Sequence, residues 1–195
     1  MQKKNLRPVF NTRTLVYCAL LAALSVVLAR LIVPMPDPTT RFSIEAVPIF
    51  LAGMLCGPLA GGLVGFVADT AGCLLSPFGY NPIFCLPPIL YGVFGGVFRY
   101  WLGKKVSLPK LVLGFLPPVV LGSVLWQSFA LAYVYYASTF WEGLVLKLTT
   151  RSIQFAITLV ADVLVIYLLF KVRLFDRMGI WPPKSRKQKG NEHER

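Results

Sequence analysis

Three polar side chains interrupt a long apolar stretch near the end of the sequence. Lys147, Arg151 and Gln154 lie within residues 143–170, a run that otherwise predicts a membrane helix. A Lys or Arg at the centre of such a helix costs roughly 2.5–3.5 kcal/mol, so two of them need compensating partners. Steps of four and three residues place the three side chains on one helix face. A polar stripe of this kind normally faces a bundle interior or a water-filled cavity.

The residue types in this stripe indicate an anion-binding site with an additional hydrogen-bonding group. An arginine guanidinium matches the paired oxygens of a carboxylate or phosphate, and a lysine adds a point charge. Gln154 can donate and accept, which suits an amide or the edge of a heterocycle. The alternative is a structural ion pair with Asp162 or Asp69. Asp162 follows Arg151 by eleven residues, which is about 16 Å along a helix and too far for direct contact.

Other candidate binding residues lie elsewhere in the chain. Tyr80, Phe84 and Trp126 could stack on a flat ring, although such residues are also typical of the aromatic belt at a membrane surface. Arg30 could add a positive charge to the site or extend to the membrane interface. Asp69 could accept a hydrogen bond from a ring amino group or serve a structural role. These residues extend the predicted substrate-binding set beyond the polar stripe.

Apolar segments provide the elements that would position these residues. The 195 residues are 56% hydrophobic and 14% charged, whereas a soluble domain carries about 25% charged residues. The composition predicts an all-α integral membrane protein, a bundle of six transmembrane helices in one domain over residues 1–175. The first apolar segment is long enough to span, so we interpret it as a retained helix rather than a signal peptide. The predicted segments are residues 14–33, 43–56, 59–75, 82–102, 108–136 and 143–172.

The distribution of Lys and Arg predicts the orientation of the bundle. Most of the 20 Lys and Arg residues lie at the N-terminus, between the fourth and fifth segments, and in the C-terminal tail. Six spans would put these regions on one side, which the positive-inside rule identifies as the cytoplasm, so both termini are predicted to be cytoplasmic. Residues 176–195 are expected to be a disordered basic tail. The net charge of +12 favours anionic membrane lipid as a partner and does not indicate nucleic-acid binding.

Small residues and prolines predict how the helices pack. Glycines at intervals of four would let helix backbones approach closely, and they occur at Gly53, Gly57, Gly61 and Gly65 and again at Gly92 and Gly96. Pro58 interrupts the first series, so one helix should end there and another begin. Two Leu-Pro-Pro sequences, in residues 86–92 and 116–122, predict kinks in the fourth and fifth helices. Ala19 and Ala23 would pack either inside the bundle or against another subunit.

Motifs for catalysis and metal binding are missing from the sequence. The phosphate-binding motif Gly-x-x-x-x-Gly-Lys-Ser/Thr does not occur, so the chain is not expected to hydrolyse ATP itself. The motifs His-Glu-x-x-His and Gly-x-Ser-x-Gly do not occur either. We therefore predict that the chain is not an enzyme and that it holds no metal or cofactor.

Three stretches of the sequence resemble one family of membrane transport proteins. They are TLVYCALLAALSVVLARL, FLAGMLCGPLAGGLVGFVADTAGCLLSPFGY and LKLTTRSIQ. From Thr12 to about Arg173 the chain resembles the substrate-binding S component of an energy-coupling factor (ECF) vitamin transporter, most closely the folate-specific group. The resemblance implies a six-helix protein of the bacterial cell membrane that binds its vitamin from outside. It also implies a transmembrane coupling subunit and two ATPase subunits as partners, and these use the ATP.

The same resemblance implies roles for individual residues. Lys147, Arg151 and Gln154 match positions at which the group holds its ligand, and Ala19 and Ala23 match its docking face for the coupling subunit. Folate or a reduced folate, with a flat pterin ring and two carboxylates on its tail, is the expected vitamin. Another anionic ring-bearing vitamin or precursor is the alternative, followed by a membrane enzyme or a standalone carrier. One departure is Pro-Ile-Phe-Cys at residues 82–85, where the folate group usually has Pro-Gly-Phe-Thr.

Overall fold

Apolar helices make up almost all of the described structure. The computed structural model describes residues 12–29, 33–34, 41–42, 44–75, 81–102 and 106–172. Within these ranges the only strands are two strands of two residues each, Val33–Pro34 and Arg41–Phe42, which pair with each other in antiparallel orientation. The predicted all-helical class is confirmed, and the tail at residues 176–195 lies outside the described residues. We number the helices of the described chain α1 (Thr12–Leu28), α2 (Ala46–Cys56), α3 (Pro58–Leu74), α4 (Leu86–Leu102), α5 (Leu108–Tyr135) and α6 (Phe140–Lys171).

The helices differ in length. Three stretches of the described chain are long and apolar enough to cross a membrane, namely Pro82–Arg99, Leu108–Tyr135 and Phe140–Lys171. Helices α1, α2 and α3 are also apolar but contain only 17, 11 and 17 residues. A perpendicular span of the hydrocarbon core needs about 20 residues. Each of the six predicted segments therefore contains an apolar helix. Helices α1 and α2 are each three residues shorter than their predicted segments, whereas α3 has the predicted length.

Several predicted helix ends were wrong by a few residues. Helix α1 ends at Leu28 rather than at residue 33, and Val33 lies in a strand. A proline disfavours helical geometry at the residue before it, and Val33 precedes Pro34. Helix α6 begins at Phe140, three residues before the predicted start, with Glu142 in its first turn. A negative charge there is favourable because the N-terminus of a helix carries a partial positive charge.

Helices α2 and α3 form a tight antiparallel pair. Gly57 alone separates them, and its φ of 106° is a left-handed conformation that favours glycine. Its N–H donates to the carbonyl of Gly53 at 2.8 Å and so completes the last turn of α2. Pro58 then occupies the first turn of α3, where its missing N–H is tolerated. The predicted helix boundary at Pro58 is confirmed.

Glycines let α2, α3 and α4 touch backbone to backbone. A Cβ atom on Gly53 or Gly61 would meet the carbonyl oxygen of Gly92, and one on Gly92 would meet the carbonyl oxygen of Gly61. A Cβ on Gly65 would lie 2.6 Å from the carbonyl carbon of Pro88. Side chains cannot be accommodated at such separations. The predicted close approach is therefore confirmed, and it binds three helices into one unit.

Contacts between helices define two ends of the bundle. A Cβ on Gly96 would lie 2.6 Å from the carbonyl carbon of Gly57, so the last turns of α4 pack against the α2–α3 turn. We call this the turn end. In α5, Gly122 packs near Pro87 at the start of α4, and Trp126 bonds to Ile83. We call that opposite end, where exposed aromatic residues collect, the aromatic end.

Helix α5 changes its geometry halfway along. It is α-helical over Leu108–Pro118, π-helical over Val119–Trp126 and α-helical again over Gln127–Tyr135. The N–H of Gln127 donates to the carbonyl of Gly122, five residues earlier, as a π-helix requires. The two prolines before Val119 lack N–H groups, so the α-helical bonding pattern is already interrupted there. The second Leu-Pro-Pro sequence thus precedes a change of helix type.

The first Leu-Pro-Pro sequence does not kink a helix. It forms the first turn of α4, which begins at Leu86, and prolines are tolerated in a first turn because its N–H groups have no helical acceptor. The kink predicted in the fourth helix was therefore wrong. A short 3₁₀ helix, Pro82–Phe84, precedes α4 and is separated from it by Cys85.

Substituting Gly92 tests the backbone contact. Gly92→Ala would push a methyl group into the carbonyl of Gly61, and neither backbone can move freely. We expect a loss of about 2 kcal/mol or more in stability, seen as a lower midpoint of thermal unfolding in detergent. Gly72→Ala is the matched control, because a Cβ there meets nothing within 4 Å. Equal midpoints for the two variants would contradict the packing described.

Candidate functional site

Five polar side chains form a buried stripe along α6. Their exposed fractions are 2% for Lys147, 5% for Arg151, 5% for Gln154, 7% for Thr158 and 1% for Asp162. Spacings of three and four residues keep all five on one face. The Thr158 hydroxyl donates to the Gln154 carbonyl at 3.0 Å. The structure thus brings together the three predicted residues and extends their stripe towards the turn end by two more.

Aromatic rings lie against both cations of the stripe. The Nζ atom of Lys147 is 5.7 Å from the centre of the Tyr136 ring, and Cζ of Arg151 is 5.7 Å from that of Phe155. Both distances fall within the range of about 6 Å for cation–π attraction. These contacts offset part of the cost of removing two positive charges from water. An anionic ligand would offset more, because a carboxylate attracts both charges directly.

A hydrogen bond holds the segment before α4 against α5. The indole N–H of Trp126 donates to the carbonyl of Ile83 at 2.7 Å. The Ile83 N–H in turn donates to the side-chain oxygen of Asn81 at 3.2 Å. Phe84, which is half-buried, is the last residue of this 3₁₀ helix. Trp126 and Phe84 are thus brought to the same end of the bundle, and sequence reasoning missed the hydrogen bond that connects their segments.

Exposed aromatic residues extend from Trp126 along the aromatic end. Phe129 lies 6.3 Å from Trp126 and 6.5 Å from Tyr133, measured between ring centres. It also contacts Phe140 at 5.7 Å, which in turn contacts Trp141 at 5.6 Å. Tyr133 and Trp141 are 63% and 75% exposed. This arrangement is typical of the aromatic belt at a membrane interface.

Of the remaining predicted binding residues, the structure describes only Asp69. Asp69 is half-buried on α3, eleven residues after Pro58, or about 16 Å from the α2–α3 turn. Arg30 and Tyr80 lie outside the described residues. Among the described residues no cluster of three His, Cys, Asp or Glu side chains could hold a metal ion.

The alanine pair on α1 faces away from the bundle. Ala19 and Ala23 are exposed, whereas Ala22 and Ser25 form the buried side of this helix. Packing of the alanine pair inside the bundle, one of its two expected roles, was therefore wrong. The exposed face is available for lipid or for another subunit.

Comparison with known proteins connects this arrangement to vitamin transport. The sequence model of the family described as ECF-type riboflavin transporter, S component, matches residues 9–172. The chain is 33% identical over 104 residues to the folate transporter FolT of Clostridium novyi (strain NT), covering 53% of this chain and 59% of the relative. It thus spans about three fifths of the length of that relative. A crystal structure of FolT bound with folic acid superimposes with a TM-score of 0.67 at 28% identity, covering 82% of this chain and 93% of that one.

Removing one hydrogen-bond donor tests the link between α5 and the segment before α4. Trp126→Phe keeps an aromatic ring but loses the bond to Ile83. Because such a bond contributes about 1 kcal/mol, we expect the amide hydrogens of Phe84 and Cys85 to exchange with solvent about fivefold faster. Hydrogen–deuterium exchange measured by mass spectrometry would show the change. Trp141→Phe is the control, since its ring is exposed, and equal exchange in both variants would contradict the link.

Proposed function

Because the chain belongs to the ECF-type riboflavin transporter S component family, we propose that it is a vitamin-binding subunit whose vitamin is a folate. It is a transporter subunit and not an enzyme. In the proposed cycle it binds the vitamin on the outer side of a bacterial cell membrane. It then delivers the vitamin to the cytoplasm together with a transmembrane coupling subunit and two ATPase subunits. The chain itself needs no cofactor, since the ATPase subunits use the ATP.

The observation that carries the choice of vitamin is the pair of buried cations. Lys147 and Arg151 are both at least nine-tenths buried on one face of α6, next to Gln154. Folate has two carboxylates on its glutamate tail and a pterin ring with a polar edge. The carboxylates suit the two cations, and the amide of Gln154 suits a polar edge. The similarity to FolT, which has been crystallised with folic acid, supports the same choice.

Riboflavin is the second candidate because the family description names it. Its flat ring would suit aromatic side chains and Gln154. However, riboflavin has no carboxylate or phosphate, so two buried positive charges would remain uncompensated by the ligand. Another anionic, ring-bearing vitamin or precursor meets the charge requirement better and is the closest alternative to folate.

The proposed topology has six spans with both termini in the cytoplasm. This orientation follows the positive-inside rule and puts the turn end at the cytoplasmic side. The described cations Arg13, Arg99, Lys110 and Lys171 belong to the helix ends at that side, which supports the assignment. Anionic lipid headgroups would attract the same residues. The aromatic end then lies at the outer surface.

The exposed alanine face of α1 is the proposed docking surface for the coupling subunit. Small side chains at Ala19 and Ala23 would let a helix of the partner approach closely. Leu20 and Leu24 are 62% and 48% exposed beside them and would add apolar contact area.

Calorimetry with folate tests the proposed substrate. The wild-type protein in detergent should bind folate, and Arg151→Ala should weaken binding roughly 30-fold or more, because a buried charge pair is broken. Arg151→Lys keeps the charge but loses the forked geometry, so we expect an intermediate affinity. Lys171→Ala, at an exposed position, is the matched control and should bind as the wild type does. Tight binding of riboflavin with none of folate would reverse the order of the two candidates.

A larger residue on the α1 face tests the docking surface. Ala23→Leu should prevent close approach of a partner helix while leaving vitamin binding unchanged. Co-expression with an ECF coupling subunit and its two ATPases, followed by affinity purification, should recover at least tenfold less complex. Ala156→Leu makes the same change at an exposed position of α6 and is the control. Equal recovery of complex with the two variants would place the docking surface elsewhere.

A further inference from the structure

Glu45 is an exposed acidic residue at the start of a buried helix. The ten residues that follow it, Ala46 to Leu55, are all buried, whereas Glu45 is exposed. Its backbone is fixed, because the Ser25 hydroxyl of α1 donates to the Glu45 carbonyl at 2.9 Å. Glu45 is therefore a solvent-accessible residue whose backbone is held against α1.

The length of α2 places Glu45 between the two ends of the bundle. From the turn at Gly57, the 11 residues of α2 extend about 16 Å and the 17 residues of α3 about 25 Å. Because the two helices are antiparallel neighbours, α3 reaches roughly 9 Å further towards the aromatic end. Glu45 thus lies closer to the turn end than Leu74 does. A carboxylate exposed at that depth is costly against lipid and favourable towards a polar cavity.

The neighbours of Glu45 include buried residues of the bundle interior. It lies within electrostatic range of Asp162, the deepest member of the α6 stripe. Tyr91 lies within range of Glu45, Asp162 and Arg151 together. Tyr91 is itself buried and hydrogen-bonded to Ser123 at 2.9 Å. Glu45 is consequently close to the polar stripe of α6.

The ionisable side chains of the interior lie at two different distances from the aromatic end. Lys147 is seven residues into α6, about 10 Å from its start at the aromatic end. Asp162 is 22 residues in, about 33 Å from the same point. Among the described residues, Oδ1 of Asp162 is buried and makes no hydrogen bond, so the deeper level has unused acceptor capacity. Basic side chains lie nearer the aromatic end, and acidic side chains lie further from it.

We propose that Glu45 forms the floor of the ligand site and accepts hydrogen bonds from N–H donors on the ring of the vitamin. This inference rests on the proposed function. An ionised carboxylate only accepts hydrogen bonds, so it selects a ring edge that carries a ring N–H next to an exocyclic amino group, as a pterin does. A flavin offers one imide N–H between two carbonyls, whose oxygens the carboxylate repels. Asp162, being 1% exposed, lies behind Glu45 and does not touch the ligand.

A comparison of two ligands in two proteins tests the role of Glu45. The ligands are folate and its 2-desamino analogue, which lacks only the exocyclic amino group. The wild type should prefer folate roughly tenfold to hundredfold, as expected for a hydrogen bond to a charged group. Glu45→Gln replaces one acceptor oxygen by a donor, and the preference should fall to about twofold or less. Glu142→Gln, at an exposed site in the first turn of α6, should keep the full preference.

The outcomes separate this inference from the proposed function. If the wild type binds neither ligand, the proposed function fails. If the wild type binds both ligands equally, folate binding stands and the role of Glu45 is overturned, whether or not the variant folds. A full preference for folate that survives in Glu45→Gln also overturns it, and Asp69→Asn then tests the other acidic candidate in the same way. Loss of the preference in Glu45→Gln alone supports the assignment.

Discussion

Positive charge inside an apolar bundle is the constraint on which the rest of this structure depends. Lys147 and Arg151 are almost fully buried on one face of α6, and each lies beside an aromatic ring. Such charges are tolerated in a membrane only where polar partners or a cavity compensate for lost hydration. The face of α6 that carries them must therefore turn inward, which fixes the rotation of the longest helix about its axis. Its apolar residues, including Ile153 and Ile157, are then left exposed on the outside.

Five of the six helices of the described chain divide into two parts. Helices α2, α3 and α4 meet through glycines at backbone distance, so this part has little freedom to change shape. Helices α5 and α6 contribute bulky aromatic and charged side chains instead. Glu45 lies where the two parts meet, at the start of α2 and within electrostatic range of Asp162 on α6. A ligand between the two parts would be held by one rigid wall and one wall rich in functional groups.

The sequence predicted features that repeat with a helical period and missed those that depend on contacts between distant residues. The polar stripe and the glycine series were visible because their spacing of three or four residues is a property of one helix. The bond from Trp126 to Ile83 spans 43 residues, so the sequence indicated only a possible ring contact for Trp126. Glu45 gave no signal because its depth follows from the shortness of α2. The extended geometry of Val33, in contrast, was predictable from Pro34, which follows it.

The π-helical part of α5 affects how this chain can be compared with its relatives. A π-helix uses about one more residue per turn than an α-helix, because its hydrogen bonds span five residues instead of four. A relative with an ordinary helix in place of Val119–Trp126 would present equivalent side chains at positions shifted by a residue or more. Alignment by sequence alone would then pair residues that face different directions from that point to the end of the helix. Equivalent aromatic residues in relatives, such as those matching Phe129 and Tyr133, must therefore be identified by superimposing the structures and not by aligning the sequences.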